Sequence, residues 1–181
     1  MNQIVEVAGH APFHYSAHNI HLNGHKQSLV PWRFYVLHND VCRQLLVVLK
    51  DKPAGKILPM LAAAGTLIMV TWLPDPDEND AGGLSPRNIE HIAAASCATQ
   101  NLLLAATARK IENYWSSGGI LRTAEVYEIC GIPAQEAFLG AIFLYPAVPA
   151  GADVRRGKMR DKRGEVGDWV TAVSLKCASI K

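Results

Sequence analysis

SPRNIEHIAAASCATQNLLLAATARK, residues 85–110, opens as a helix and stays apolar or small on nearly every side. Ser85 has the chemistry of an N-cap, Pro86 stands at the first helical position, where no N–H is needed, and Glu90 lies near the positive end of the dipole. At 1.5 Å per residue, a helix running to Lys110 reaches roughly 36 Å. A helix that is apolar all round is buried on most sides, in a large core or at a subunit interface. In a chain of 181 residues the interface is the more attractive explanation. A C2 dimer would set the same helix of each subunit together.

The flanks supply the rest of the architecture. Residues 2–9 read as the end of a helix, with Ile4, Val5 and Ala8 on one side and Gly9 as its stop. Residues 10–31 form a long polar loop holding Pro12, Gly24 and Pro31, and loops of that length are usually functional or disordered. Trp32–Leu37 reads as a strand, Asp40 as the cap of a helix over 41–50, and 55–64 as a second short helix. Thr66–Leu73 is apolar enough for a central strand buried on both faces. A loop rich in Pro, Asp and Gly over 74–83 leads into the long helix. Beyond that helix, Thr123 caps a short helix over 124–130, closed by Gly131 and Pro133. Phe138–Tyr145 is a strong strand, and Trp169–Leu175 reads as an edge strand. Strands and helices alternate without a βαβ rhythm, so the expected class is α+β, a single domain over 1–181.

Composition narrows the function classes. Hydrophobic residues at 49% and charged residues at 19% suit a globular chain rather than a disordered one. A formal net charge of +2 is too small to imply a nucleic-acid or membrane partner. No apolar run approaches the ~20 residues that span a bilayer, and the N-terminus has no signal-peptide pattern. Cys42, Cys97, Cys130 and Cys177 form no CxxC pair, as expected of reduced, mostly buried thiols in a cytoplasmic protein.

Three features have chemical potential. Arg155, Arg156, Lys158, Arg160, Lys162 and Arg163 are opposed only by Asp161, a run that attracts phosphate unless it is simply a solvated loop. Tyr114-Trp115-Ser116-Ser117-Gly118-Gly119 concentrates hydroxyls and glycines, which admit a planar or phosphorylated ligand unless they only make a turn. His10, His14, His18, His21 and His25 recur at helical spacing, but Pro12 and Asn23-Gly24 break the helix and no carboxylate or cysteine completes a metal site. Nucleophile elbow, P-loop, GxGxxG and HExxH motifs are all missing, so an enzyme here would rely on a bound cofactor for the hard chemistry.

In order and spacing, four stretches resemble the FMN-dependent nitroreductase-like family. They are Ala8-Gly9-His10-Ala11-Pro12-Phe13-His14; Val30-Pro31-Trp32-Arg33-Phe34-Tyr35-Val36; Asn88 through Ala106 running into Tyr114–Gly118; and Lys158–Trp169. The resemblance covers nearly the whole chain. It implies a central, mostly antiparallel mixed sheet with helices around it, a long buried central helix, and a homodimer holding FMN at its interface. It also implies that His10, His14 and Ser28 surround the ring and ribityl chain. Trp115, Ser116, Ser117 and Gly118 would lie against the flavin, and Arg160, Lys162 or Arg163 would meet its phosphate. The implied chemistry is ping-pong: NAD(P)H reduces the flavin, and a nitroaromatic, quinone or similar acceptor takes the electrons. No catalytic side chain and no metal ligand is assigned.

The chain departs from the family at three places. Relatives begin with a longer helix carrying an Arg-Arg-Ser-like phosphate grip, whereas this chain reads as N-terminally shortened. The segment between Leu49 and Leu58 is short, and Glu112 brings a charge near the flavin loop. Losing two charge-assisted contacts costs on the order of 3–6 kcal/mol. That sets up the alternative: a cofactor-poor dimer of the same fold acting as a binding or structural protein.

Overall fold

A computed structural model describes residues 2–22, 27–76, 79–80, 83–146, 157 and 159–173, without the side chains of 79, 80, 83, 84 and 160. It divides into two compact units, Met1–Ala147 and Val148–Lys181.

The first unit is built on an antiparallel sheet of order β1-β2-β6-β5, with β1 Trp32–His38, β2 Thr66–Trp72, β5 Glu112–Ser116 and β6 Ala137–Tyr145. Every pairing in it is antiparallel, where the resemblance implied some mixing. A separate pairing joins β3 (Asn79–Asp80) to β4 (Gly83–Leu84). The central strand β2 is buried from Thr66 to Thr71, as its unbroken apolar run requires. Between Val70↔Gly140 and Thr71↔Phe138 the register shifts, leaving Leu139 as the extra residue of a bulge in β6.

Helices cover both faces. α1 (Asn2–Ala8) and α4 (Pro86–Ala108) pack on one face, against Trp32, Ile68, Val70, Ile142 and Leu144. On the other face, α2 (Asn39–Leu49), α3 (Ile57–Ala63) and α5 (Ala124–Cys130) lie against Leu37, Leu67, Met69, Ala141 and Phe143. Ala94, Ala95, Ala98, Ala105 and Ala106 form much of the buried face of α4, and their small side chains let the helix lie close on the sheet. Ser85 Oγ accepts the Asn88 N–H at 3.1 Å, as its position suggested. The helix ends at Ala108 rather than Lys110 because Lys110 takes a left-handed φ of 58° and the Ile111 N–H returns to the Ala106 carbonyl.

Thr123 caps α5, and Gly131 closes it in the left-handed region. The residue capping α2 is His38, with Asp40 inside the first turn instead, where its charge suits the dipole. Cys42 is buried, while Cys97 is exposed on α4 against expectation; Cys177 lies outside the described residues.

The second unit holds two 3-10 turns, Arg160–Lys162 and Val166–Asp168. A capping box between Glu165 and Asp168 fixes the second turn. Residues 169–173 form no strand, so the edge strand expected over Trp169–Leu175 is absent from its described part; Leu175 lies outside. The Trp169 N–H instead closes the preceding turn, donating to the Val166 carbonyl at 3.3 Å.

Candidate functional site

Antiparallel pairing brings distant parts of the sequence to one end of the sheet. β1 begins, β2 ends and β6 begins at the level Trp32–Trp72–Ala137, and β5 ends at Ser116 opposite Ala141. The loop before Trp32, the exit of β2, the N-terminus of α4 and the segment after Ser116 all emerge there.

Arg33 organises the first of these segments. Its guanidinium donates to the carbonyls of Val30 and Trp32 at 3.0 and 2.8 Å through Nη1, and of Ser28 and His21 at 3.0 and 3.5 Å through Nη2. Burial lowers its pKa, with Glu136 and Tyr35 opposing that shift. The exit of β2 is pinned by two histidines: His21 Nε2 donates to the Pro74 carbonyl at 2.7 Å and His91 Nδ1 to Leu73 at 2.8 Å. Asp75 is fastened to α4, receiving Arg87 Nη1 at 3.0 Å and donating its N–H to Asn88 Oδ1 at 2.8 Å.

The expected histidines do not converge. His10 is exposed just past α1, and His14 sits 3.0 Å from Glu90 on α4. The His18 ring accepts the Ile20 N–H, His21 is buried, and His25 lies outside the described residues. Among the described residues, no group of His, Cys, Asp and Glu is arranged to hold a metal ion. Exposed Ser28 borders a cavity of about 350 Å³ together with Val5, Trp32 and Phe34.

Trp115–Gly118 lies across the sheet from that cavity. Trp115 and Ser116 belong to β5 itself, so what looked like a glycine-rich turn is the end of an edge strand. Gly140 is a glycine for a reason: a Cβ there would collide with Trp115 Nε1, so the indole packs against this stretch of β6 on the α4 face. Ser116 Oγ accepts the Gly118 N–H at 3.1 Å. Gly118 has φ 90°, and a Cβ there would stand 2.4 Å from the Phe138 ring. Ser117 is exposed beside it. Glu112 sits at the opposite end of β5, paired with Tyr145, and so points no charge at this segment.

Arg160, Lys162 and Arg163 belong to the second unit; Lys162 and Arg163 are exposed. Arg155, Arg156 and Lys158 lie outside the described residues.

One network escaped the sequence reading. Glu136, 5% exposed, receives the Tyr35 hydroxyl at 2.7 Å and the Thr71 hydroxyl at 2.5 Å on its two oxygens. Burial first, then this carboxylate, raises the Tyr127 pKa to about 12 and pushes Tyr35 up as well. The only sequence signal was polar residues alternating inward on strands; their partner, 101 positions away from Tyr35, was not readable.

The Nitroreductase family profile matches residues 1–144. None of the curated proteins matches the chain in sequence. Among solved structures, the chain is similar to a nitroreductase-like family protein from Bacillus cereus, at 20% identity and TM-score 0.60, covering 91% of this chain and 82% of that one. A putative nitroreductase from Desulfovibrio desulfuricans in complex with FMN matches at 23% identity and TM-score 0.55, with the same coverage of 91% and 82%. The NADPH:FMN oxidoreductase from Vibrio harveyi complexed with NAD+ matches at 15% identity and TM-score 0.57, covering 96% of this chain and 68% of that one. The profile spans most of the chain and these solved structures share its fold: the chain belongs to the Nitroreductase family.

Proposed function

We propose that this chain is an FMN-dependent oxidoreductase, a homodimer in the cytoplasm that takes electrons from NAD(P)H and passes them to a nitroaromatic, quinone or similar acceptor. Family membership and the FMN-bound neighbour support the flavin. The observation that carries the reading is the open edge of β5 at Trp115–Gly118, gathered to the same end of the sheet as the loop before Trp32.

The residues present fit an isoalloxazine. An edge strand offers alternating N–H and C=O groups, which match the alternating carbonyl and N–H groups of the flavin's pyrimidine edge. Trp115, 36% exposed, presents an aromatic surface for stacking, and the left-handed Gly118 turns the backbone beside it. In this reading Ser116 and Ser117 supply polar contacts. His10, His14 and Ser28 approach the ring and ribityl chain from the loop. Arg160, Lys162 and Arg163 are the candidates to meet the phosphate. FMN, once bound, supplies two-electron acceptance and release. The protein binds and orients it and shapes access for donor and acceptor.

The dimer rests on α4. Ile89, Ala93, Cys97, Gln100 and Leu104 form an exposed stripe at helical spacing without a charge, opposite the face that covers the sheet. The function is tested by steady-state oxidation of NADH and NADPH in the presence of added FMN and a nitroaromatic or quinone acceptor. Acceptor-dependent turnover above that of free FMN is the expected result; turnover equal to free FMN contradicts the reading.

A further inference from the structure

We propose that the cavity beside α5 is a second small-molecule site, one that takes a planar aromatic cation such as an amidine or guanidine. The cavity is about 680 Å³, within the range of small-ligand sites. Tyr127, Ile132 and Phe138 give it aromatic and aliphatic walls, Glu136 stands in its wall, and the exposed Glu128 and Arg122 border it. It adjoins the far end of the flavin-facing segment, where Gly118 lies against the Phe138 ring and Arg122, but opens on the opposite face of the sheet from the Trp115 indole. Tyr127, Ile132 and Phe138 pack with the core under α2, α3 and α5, whereas the Trp115 indole lies over Gly140 on the α4 face.

Ligand class follows from Glu136. A carboxylate withdrawn from water is costly unless charge or hydrogen bonds compensate it. Its two oxygens each receive one neutral hydroxyl, from Tyr35 and Thr71, and each keeps capacity for another donor. Among the described residues no cation forms an ion pair with it. The two hydroxyls fix the carboxylate in orientation, and the buried Arg33 guanidinium, which Glu136 favours electrostatically, makes no ion pair with it. The lining holds two carboxylates, Glu128 and Glu136, and one guanidinium, Arg122, a net negative set. An amidinium or guanidinium matches a carboxylate with paired N–H donors. Its aromatic body suits the Tyr127 and Phe138 rings, which also favour a cation.

Isothermal titration of the full-length protein, with and without added FMN, tests the assignment using benzamidine as the probe. Benzamide and benzoate serve as neutral and anionic isosteres. Benzamidine is expected to bind with one-to-one stoichiometry in both states, with benzamide weaker by about tenfold or more and benzoate silent. Glu136→Gln, which keeps the shape and removes the charge, should weaken benzamidine by at least about tenfold. Because Glu136 is buried, Ala134→Trp provides an independent check: Ala134 lines the cavity from an exposed position, and the larger ring should fill it and abolish binding. Absence of benzamidine binding, equal affinity for benzamide, or unchanged affinity in Ala134→Trp overturns the proposal. None of these outcomes depends on whether FMN is retained.

Discussion

Tyr127 carries the clearest pH signature at the residue scale. Its pKa is raised by burial and by Glu136 to about 12, against 10.0 unperturbed. A folded-state value above the unfolded one favours the protonated form, so the contribution is complete below pH 10 and is lost as pH climbs through 12. The urea midpoint should therefore fall between those limits, and Tyr127→Phe should flatten that part of the profile; an identical slope in the variant would contradict the assignment. The Glu136 network also marks where single residues stopped being legible. Nothing local announces that Tyr35, Thr71 and Glu136 meet, because strand register decides it. The histidines recur at helical spacing, but Pro12 already argued against one continuous helix, and Pro12 and the turn at 19–21 hand each described ring to its own surroundings.

Most elements were legible from pattern alone. β2 declared itself by an unbroken apolar run, and α4 by its cap, its proline and its alanines. Errors gathered where tertiary context competes with local preference. Trp115 and Ser116 read as part of a loop because hydroxyls and glycines dominate the segment, yet pairing with β6 makes them strand. Trp169 and its apolar neighbours read as strand, but no partner strand pairs with the described part. For α4, the cap gives a quantitative expectation. Ser85 is buried, so Ser85→Ala removes an acceptor and strands the Asn88 N–H away from water. A loss of about 1–2 kcal/mol in unfolding free energy is expected from denaturant titration, with an unchanged m-value. No loss would mean that α4 is held by packing alone.

For the whole molecule, the sequence pointed to the class and to the long helix packed on the sheet. What it did not contain was the sheet order β1-β2-β6-β5, which sets the Trp115–Gly118 segment and the loop before Trp32 at opposite edges of one end. The outer stripe of α4 extends the reading to assembly. Leu104 is 58% exposed and Ile89 is 53% exposed, large apolar surface for a lone subunit to leave in water. Light scattering should give a dimeric mass, and Leu104→Glu should shift it to the monomer; a monomeric parent protein would contradict the dimer. Since the proposed cofactor site needs both subunits, the same substitution should weaken FMN retention.

The visible absorbance spectrum of the purified protein, before and after incubation with FMN and gel filtration, tests the central claim most directly. Retained bands near 370 and 450 nm, about where free flavins absorb, are the expected result. A colourless protein that releases all added FMN on the column would contradict the flavin reading and favour a cofactor-poor binding role for the same fold.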